Sequence, residues 1–419
     1  MDDQQEIEPL GVTTASETGR SLSGGIALYI HIPFCETKCP YCDFNTYAGI
    51  NHLIPSYMDA LSNELRVWAS ALDHPRVNTV FLGGGTPSML SPKQMDSLMS
   101  LIRTEFAVQA DAEISAEVNP DDVTVARLTG FREAGLNRIS MGVQSFFDPE
   151  LQLLGRRHDV DQALKAFESI QRAGITNISM DLMYGLPNQT IDSWKRNIEG
   201  VITSAPQHIS AYALTLEPET PMAQHVAKGT LPEQDPDLAA DMYEWASTAL
   251  ATAGYHNYEI SNWALPGRES KHNITYWHNL PYLGVGPGAH SFLGGYRFAN
   301  GKSPVTYMAK VNAWGTLPAD LETLLRESPG YVEDIEPMDA QTEMADSLIM
   351  GLRLAKGVRN RDFRARFGLN LHEAYGDAIK ESISLGLLKS NGMWPDATIQ
   401  LTERGKLLAN EVFVRFLGD

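Results

Sequence analysis

Between Ile26 and Leu214, short apolar runs of strand length alternate with longer segments whose apolar residues recur every three or four positions. Ile26-Ala-Leu-Tyr-Ile-His-Ile reads as a strand. Residues 55–72 then place Tyr57, Leu61, Leu65, Trp68 and Leu72 on one stripe, the pattern of a helix lying on a sheet. Residues 77–82 read as a buried strand running into Gly83-Gly-Gly-Thr-Pro87, and Ser91-Pro-Lys-Gln94 carries a capping box that opens a helix through Met95, Leu98 and Ile102. The rhythm continues with strands over 113–118, 138–143, 177–184 and 208–214, and helices over 123–134, 161–173 and 190–204. Six strand-helix units predict a parallel sheet with right-handed crossovers, either doubly wound or curled into a barrel. In both forms the loops leaving the carboxyl ends of the strands build the site. Those exits carry a cysteine loop, Gly83 to Thr86, Glu117 with Asn119, Gln144 with Ser145, Asp181, and Tyr212 with Ala213.

Composition narrows the class. The 419 residues are 43% hydrophobic, enough for one large domain and a smaller one, and carry a formal charge of −19. That charge repels phosphate backbones and anionic lipid, so nucleic acid is not an expected partner. No apolar run reaches the ~18 residues of a membrane span, so no integral membrane segment is expected. Residues 1–23 are polar and acidic and read as a disordered leader rather than a secretory signal, which places the chain in the cytoplasm.

All three cysteines fall within eight residues, as Cys35, Cys39 and Cys42. Three thiols cannot pair into disulfides without a remainder, so their clustering points to a soft metal. A structural zinc site closes with four ligands, commonly from two Cys-x-x-Cys halves, and no second half exists here. Three thiolates on a cubane iron-sulfur cluster instead leave one iron open to another ligand.

The spacing C-x3-C-x2-C after a strand resembles the signature of the radical S-adenosylmethionine (SAM) superfamily. In that superfamily the amino and carboxylate groups of SAM chelate the open iron of a [4Fe-4S] cluster, and reduction cleaves SAM to a 5′-deoxyadenosyl radical. Tyr29-Ile-His-Ile-Pro-Phe-Cys35 and Cys39-Pro-Tyr-Cys42-Asp-Phe-Asn45 resemble the branch that holds oxygen-independent coproporphyrinogen III oxidase and the heme chaperones. The oxidase type has a fourth cysteine two residues after the third, whereas this chain has Phe44, as the heme-chaperone type does. The resemblance implies a partial (β/α)6 TIM-like barrel. It also implies SAM contacts from Tyr29, Gly83, Gly84, Thr86, Glu117, Gln144, Arg156, Asp181 and Ala213. Arg156 suits the carboxylate of SAM, and the glycine run its ammonium. Arg157 is expected to be solvated.

Beyond residue 214 the rhythm breaks. A helix over 237–253 and a strand over 255–263 precede Lys271-His-Asn-Ile-Thr-Tyr-Trp-His278, which resembles the His-Asn-x-x-Tyr-Trp element of the heme-chaperone type. His272 offers an imidazole to heme iron beside the flat faces of Tyr276 and Trp277. His278 and His290 are weaker candidates. Residues 339–419 turn mainly helical and resemble that family's winged-helix-like C-terminal domain. The expected plan is a leader (1–23), a barrel (24–260), a connecting region (261–338) and this domain. The expected function is heme delivery to an acceptor hemoprotein such as a respiratory enzyme, with a [4Fe-4S] cluster and SAM. The rivals are coproporphyrinogen III decarboxylation and radical chemistry on an unrelated substrate.

Overall fold

Six strands alternate with helices as the apolar rhythm predicts: β1 (Ile26–Ile32), β2 (Arg76–Gly84), β3 (Ala107–Val118), β4 (Arg138–Gln144), β5 (Asn177–Tyr184) and β6 (His208–Ala213). The computed structural model describes residues 22–313, 320–327 and 330–417, so the leader expected over 1–23 lies almost wholly outside the described residues. The crossover helices are α1 (Ile54–Ala71), α2 (Pro92–Glu105), α3 (Val125–Glu133), α4 (Val160–Arg172) and α5 (Ile191–Ser204). Capping boxes at Ser91, Asp159 and Thr190 fix where α2, α4 and α5 begin, because each satisfies backbone donors that the first turn leaves open. The predicted stripe of α1 is buried at all five positions.

The six strands pair in parallel and in sequence order, β1 to β6. A doubly wound sheet reverses its order partway, whereas unbroken order with right-handed crossovers puts every helix on one face. The other face becomes the inside of a partial barrel. Its side chains are unusual: Ser115, Ser140, Ser179 and Ser210 face inward with Glu117 and Asp181, where a closed barrel is packed with branched apolar residues. Small polar residues leave the interior hollow.

Residues 261–338, expected as a connecting region, carry strands that widen the barrel sheet. The strand expected over 255–263 is a hairpin of β7 (His256–Glu259) and β8 (Asn262–Ala264), which pairs antiparallel to β6. At the other edge β9 (Tyr282–Val285) pairs in parallel with β1, followed by antiparallel β10 (His290–Leu293), β11 (Tyr296–Asn300) and β12 (Val332–Pro337). The described sheet has twelve strands. Glu64 of α1 ties this extension down. Fully buried, it accepts hydrogen bonds from Gly286 N (2.7 Å), Asn300 Nδ2 (2.7 Å) and the Tyr307 hydroxyl.

Between the two edge additions lies α7 (Lys271–Trp277), preceded by α6 (Pro236–Thr252). The C-terminal domain follows with α8 (Ala340–Leu352), α9 (Asn360–Phe367), α10 (Leu371–Ser384) and a three-stranded antiparallel sheet of β13 (Val358–Arg359), β14 (Leu388–Asn391) and β15 (Thr398–Leu401). Its core of Leu348, Leu352, Phe363, Leu371, Ile379 and Ile399 is separate from that of the barrel. No helix among the described residues is long and apolar enough to cross a membrane.

Candidate metal and cofactor site

The cysteine loop is closed at its base by two short strands, Phe34–Cys35 and Tyr47–Ala48, which pair in parallel. Lys38 Nζ crosses the loop to Phe44 O (3.0 Å) and Thr46 O (3.3 Å). Asn45 clamps it to the sheet extension through Nδ2, which donates to Pro287 O and Lys302 O, both at 2.9 Å. Asn45 O in turn meets His31 Nε2 at 2.9 Å, while Tyr29 hydroxyl meets His31 Nδ1 at 3.0 Å. Gly84 leaves the room this histidine occupies: its φ is +100°, and a Cβ there would lie 2.4 Å from the His31 ring.

All three thiols are half-buried, unpaired, and face one cavity of about 530 Å³. Thr86 Oγ1 donates to Cys35 Sγ (3.5 Å), Arg156 Nη1 donates to Cys39 Sγ (3.6 Å), and Cys42 Sγ meets Thr46 Oγ1 at 3.9 Å. Burial pushes the Cys35 and Cys42 thiols up, against these donors. Among the described residues no three His, Cys, Asp or Glu side chains converge on a single ion. Three thiols on one cavity fit a cluster, where each thiolate holds a separate iron.

Gly84, Thr86, Glu117, Gln144, Arg156, Asp181 and Ala213 line this same cavity. Arg156 is pinned above it: Nη2 donates to Asn119 Oδ1 (2.6 Å) and Gly142 O (2.9 Å), while Nε is buried without a partner. Asn119 Nδ2 donates to Thr86 Oγ1 (3.1 Å), so one chain of bonds runs from Cys39 to Cys35 through Arg156, Asn119 and Thr86. Gln144 sits at a β-bulge with φ +71°, in the left-handed region that costs a non-glycine residue about 1 kcal/mol. Burial, and then the charge of Asp181, push the Glu117 carboxyl up to about 7, although Gly84 N–H donates to it at 3.1 Å. Ser140 and Ser179 hydroxyls hold Asp181 at 2.9 to 3.1 Å. Two carboxylates at strand ends suit ribose hydroxyls or an amine.

Several expectations change. The amides of the glycine run are already engaged, Gly84 N by Glu117, Gly85 N by Ile32 O and Thr86 N by Phe34 O. What remains for a ligand is carbonyl oxygen and open space, which suits an ammonium. Tyr29 and Gly83 are not among the residues that line the cavity, although Tyr29 stacks on Phe81, which is. Arg157 is not simply solvated but pairs with Asp121 and Asp122.

His272 is not brought to the cavity. It is 1% exposed, stacks on Phe81, and shares hydrogen bonds with Thr79 Oγ1 and Tyr276 hydroxyl, both at 2.8 Å. Burial pushes its imidazole down to about 3. The Glu113 carboxylate, whose oxygens accept from Lys271 N and His272 N, seats the start of α7 under the barrel, where Ser270 and Asn273 form the cavity floor. The end of α7 meets the C-terminal domain: Arg353 lies over the Trp277 ring at 4.4 Å, and Arg366 donates to His278 O, Asn279 O and the buried Glu343. The motif is a strut. His278 and His290 are exposed and face neither cavity nor core.

Sequence reasoning did not single out Asn45, whose bonds reach residues more than 240 positions away. It also missed Arg138. That residue had a signal, because Arg138, Ser140, Gly142 and Gln144 form a polar series at period two within a buried strand.

Comparison with known proteins agrees with this geometry. The family model described as the Radical SAM superfamily matches residues 29–199, and that of the HemN C-terminal domain matches 338–408. The chain is 36% identical over 392 residues to the heme chaperone HemW of Bacillus subtilis, covering 93% of this chain and 99% of that protein. It is 34% identical over 402 residues to the protein of the same name from Escherichia coli, covering 94% and 98%. Among solved structures, the coproporphyrinogen III oxidase HemN of Escherichia coli, described as a radical SAM enzyme, superposes with a TM-score of 0.79 at 25% identity, covering 95% of this chain and 91% of that one.

Proposed function

Because the chain belongs to the heme chaperone HemW family within the radical SAM superfamily, we propose that it binds heme and transfers it to an acceptor hemoprotein, such as a respiratory enzyme, in the cytoplasm. The observation that carries this reading is the likeness to the Bacillus subtilis chaperone over 99% of that protein's length. Phe44 supports it. It stands where the oxidase type has a fourth cysteine, lines the cavity mouth and is 60% exposed.

Cys35, Cys39 and Cys42 would hold a [4Fe-4S] cluster, which when bound supplies an iron open to the amino and carboxylate groups of SAM. Thr86 donates to Cys35 Sγ and Arg156 to Cys39 Sγ, bonds that would orient both sulfurs. The guanidinium of Arg156 suits the carboxylate of SAM, the glycine carbonyls its ammonium, and Glu117 and Asp181 its ribose hydroxyls. For His272 to reach heme iron, α7 must lift off β2 and break both ring hydrogen bonds. An unchanged heme absorption spectrum in His272→Ala would assign the ligand elsewhere.

The second reading is oxidative decarboxylation of coproporphyrinogen III, favoured by the TM-score of 0.79 to HemN. One experiment separates them. Anaerobically reconstituted protein should bind stoichiometric heme and pass it to an apo-hemoprotein, while coproporphyrinogen III with SAM and reductant yields no protoporphyrinogen. Robust decarboxylation by the pure protein would install the second reading.

A further inference from the structure

The hollow of the barrel continues below the residues assigned to SAM. At its floor Arg138 opens β4, 2% exposed and lining the cavity. Its Nη1 donates to Asn177 Oδ1 (3.0 Å) and Arg268 O (3.4 Å), whereas Nε and Nη2 have no hydrogen-bond partner among the described residues. No ion pair engages it there either. Asp181, the nearest carboxylate on the inner face, is held by Ser140 and Ser179 and lies beyond ion-pair distance. Arg366, whose task is structural, by contrast places both terminal nitrogens on protein acceptors and leaves only Nε without a partner. A buried guanidinium with idle donors facing a cavity calls for an acceptor from outside the chain.

The level of this group matters. Arg156 is anchored at Gly142, four residues further along β4, which is about 13 Å at the strand rise. The cavity therefore has a guanidinium at each end, and the SAM contacts assigned above use only the upper one. Asn273 lines the lower chamber with an amide that complements a carboxylate, whereas the Ser140 and Ser210 hydroxyls are turned to Asp181. We propose that Arg138 forms an anion subsite at the floor of the cavity and receives a carboxylate of the second ligand, a propionate of a tetrapyrrole. This rests on the heme reading above, and it holds equally for coproporphyrinogen III, since both ligands carry propionates.

The test compares heme with its dimethyl ester, in which both propionates are blocked, on the full-length reconstituted protein and on Arg138→Gln and Arg138→Lys, with SAM titrated in parallel. Wild type should prefer the free acid by about tenfold or more, the loss of one charge-assisted pair. Arg138→Gln should bring acid and ester to parity with ester and SAM affinities unchanged, and Arg138→Lys should keep part of the preference. No acid preference in wild type, or an undiminished one in Arg138→Gln, would overturn the subsite. Equal weakening of acid and ester in both variants would also overturn it, as a structural effect. Failure of wild type to bind either compound would instead sink the heme reading, and this inference with it.

Discussion

Inside the barrel the inward positions of the strands are Ser140, Ser179, Asp181 and Ser210, whereas the interior of the C-terminal domain is Leu348, Phe363 and Leu371 from its helices and Ile399 from its sheet. The surfaces differ in the reverse sense. Residues 369–417 expose Leu369, Ile383, Leu385, Met393, Trp394, Leu407, Leu408, Val414 and Leu417, while the six-stranded barrel exposes few large apolar residues, and two of those, Phe44 and Tyr212, line its cavity. Charge follows the same division. The eleven basic and eleven acidic residues of 339–419 cancel, so the whole −19 resides in residues 1–338. The barrel draws its stability from the helix-covered outer face of its sheet and keeps the inner face for ligands. The C-terminal domain folds around its own core and is held to the barrel by polar joints: Arg366 with the carbonyls of His278 and Asn279, Arg297 with Asp346 and Arg353 over Trp277.

The division predicts which substitutions hurt which property. Cys39→Ser should have the largest effect, removing most of the iron from reconstituted protein while the thermal transition of the apo-protein stays in place. Iron and sulfide analysis checks it, and a variant that retains four irons per chain would break the assignment. Arg366→Ala should cost roughly 3 kcal/mol in chemical denaturation, because Glu343 is left buried without its cation, yet iron loading should stay normal. A loss of iron there would mean that the two regions are not separable. Arg156→Ala should weaken SAM binding by roughly 1.5 to 3 kcal/mol, tenfold to a hundredfold, with the cluster retained. Titration calorimetry at unchanged affinity would remove Arg156 from the site.

The smallest effect concerns pH. Glu117 has a folded-state pKa of about 7, above the ordinary glutamate value of 4.5. A raised acid binds its proton more tightly when folded, so its contribution to stability is present below about 4.5 and is lost as pH rises through about 7. Allowing for the water that reaches the cavity, the loss is about 1 to 2 kcal/mol. Glu117→Gln should flatten that part of the stability curve. An identical slope between pH 5 and 8 in both proteins would place the titration elsewhere.

Much of the barrel was legible because its signals are local. Strand Asn177–Tyr184 was read to the residue, and Ser91 with Gln94 announced the start of α2. The three thiols on the cavity were equally plain, being clustered within eight residues. What could not be read was distant. Nothing near Tyr282 says that it will pair beside Ala27, and nothing in His-Asn-Ile-Thr-Tyr-Trp says that Thr79, 193 residues earlier, will take the imidazole. The same holds for the glycine run, whose amides are claimed by Glu117 and by the 32–34 backbone. The hollow itself depends on which way each serine points, which only the closed sheet decides.

The pairing of β1 with β9 also sets a timetable. Strand β1 finds β2 about fifty residues later, but its other edge waits for residues 282–285. During synthesis at roughly 5 to 20 residues per second, the cysteine loop would leave the ribosome more than ten seconds before the glycine-rich segment that clamps Asn45. For that interval the three thiols hang on an unfinished sheet with one raw edge, open to oxidant and to stray zinc. A cell that makes this protein therefore has reason to guard the nascent chain until the clamp has closed.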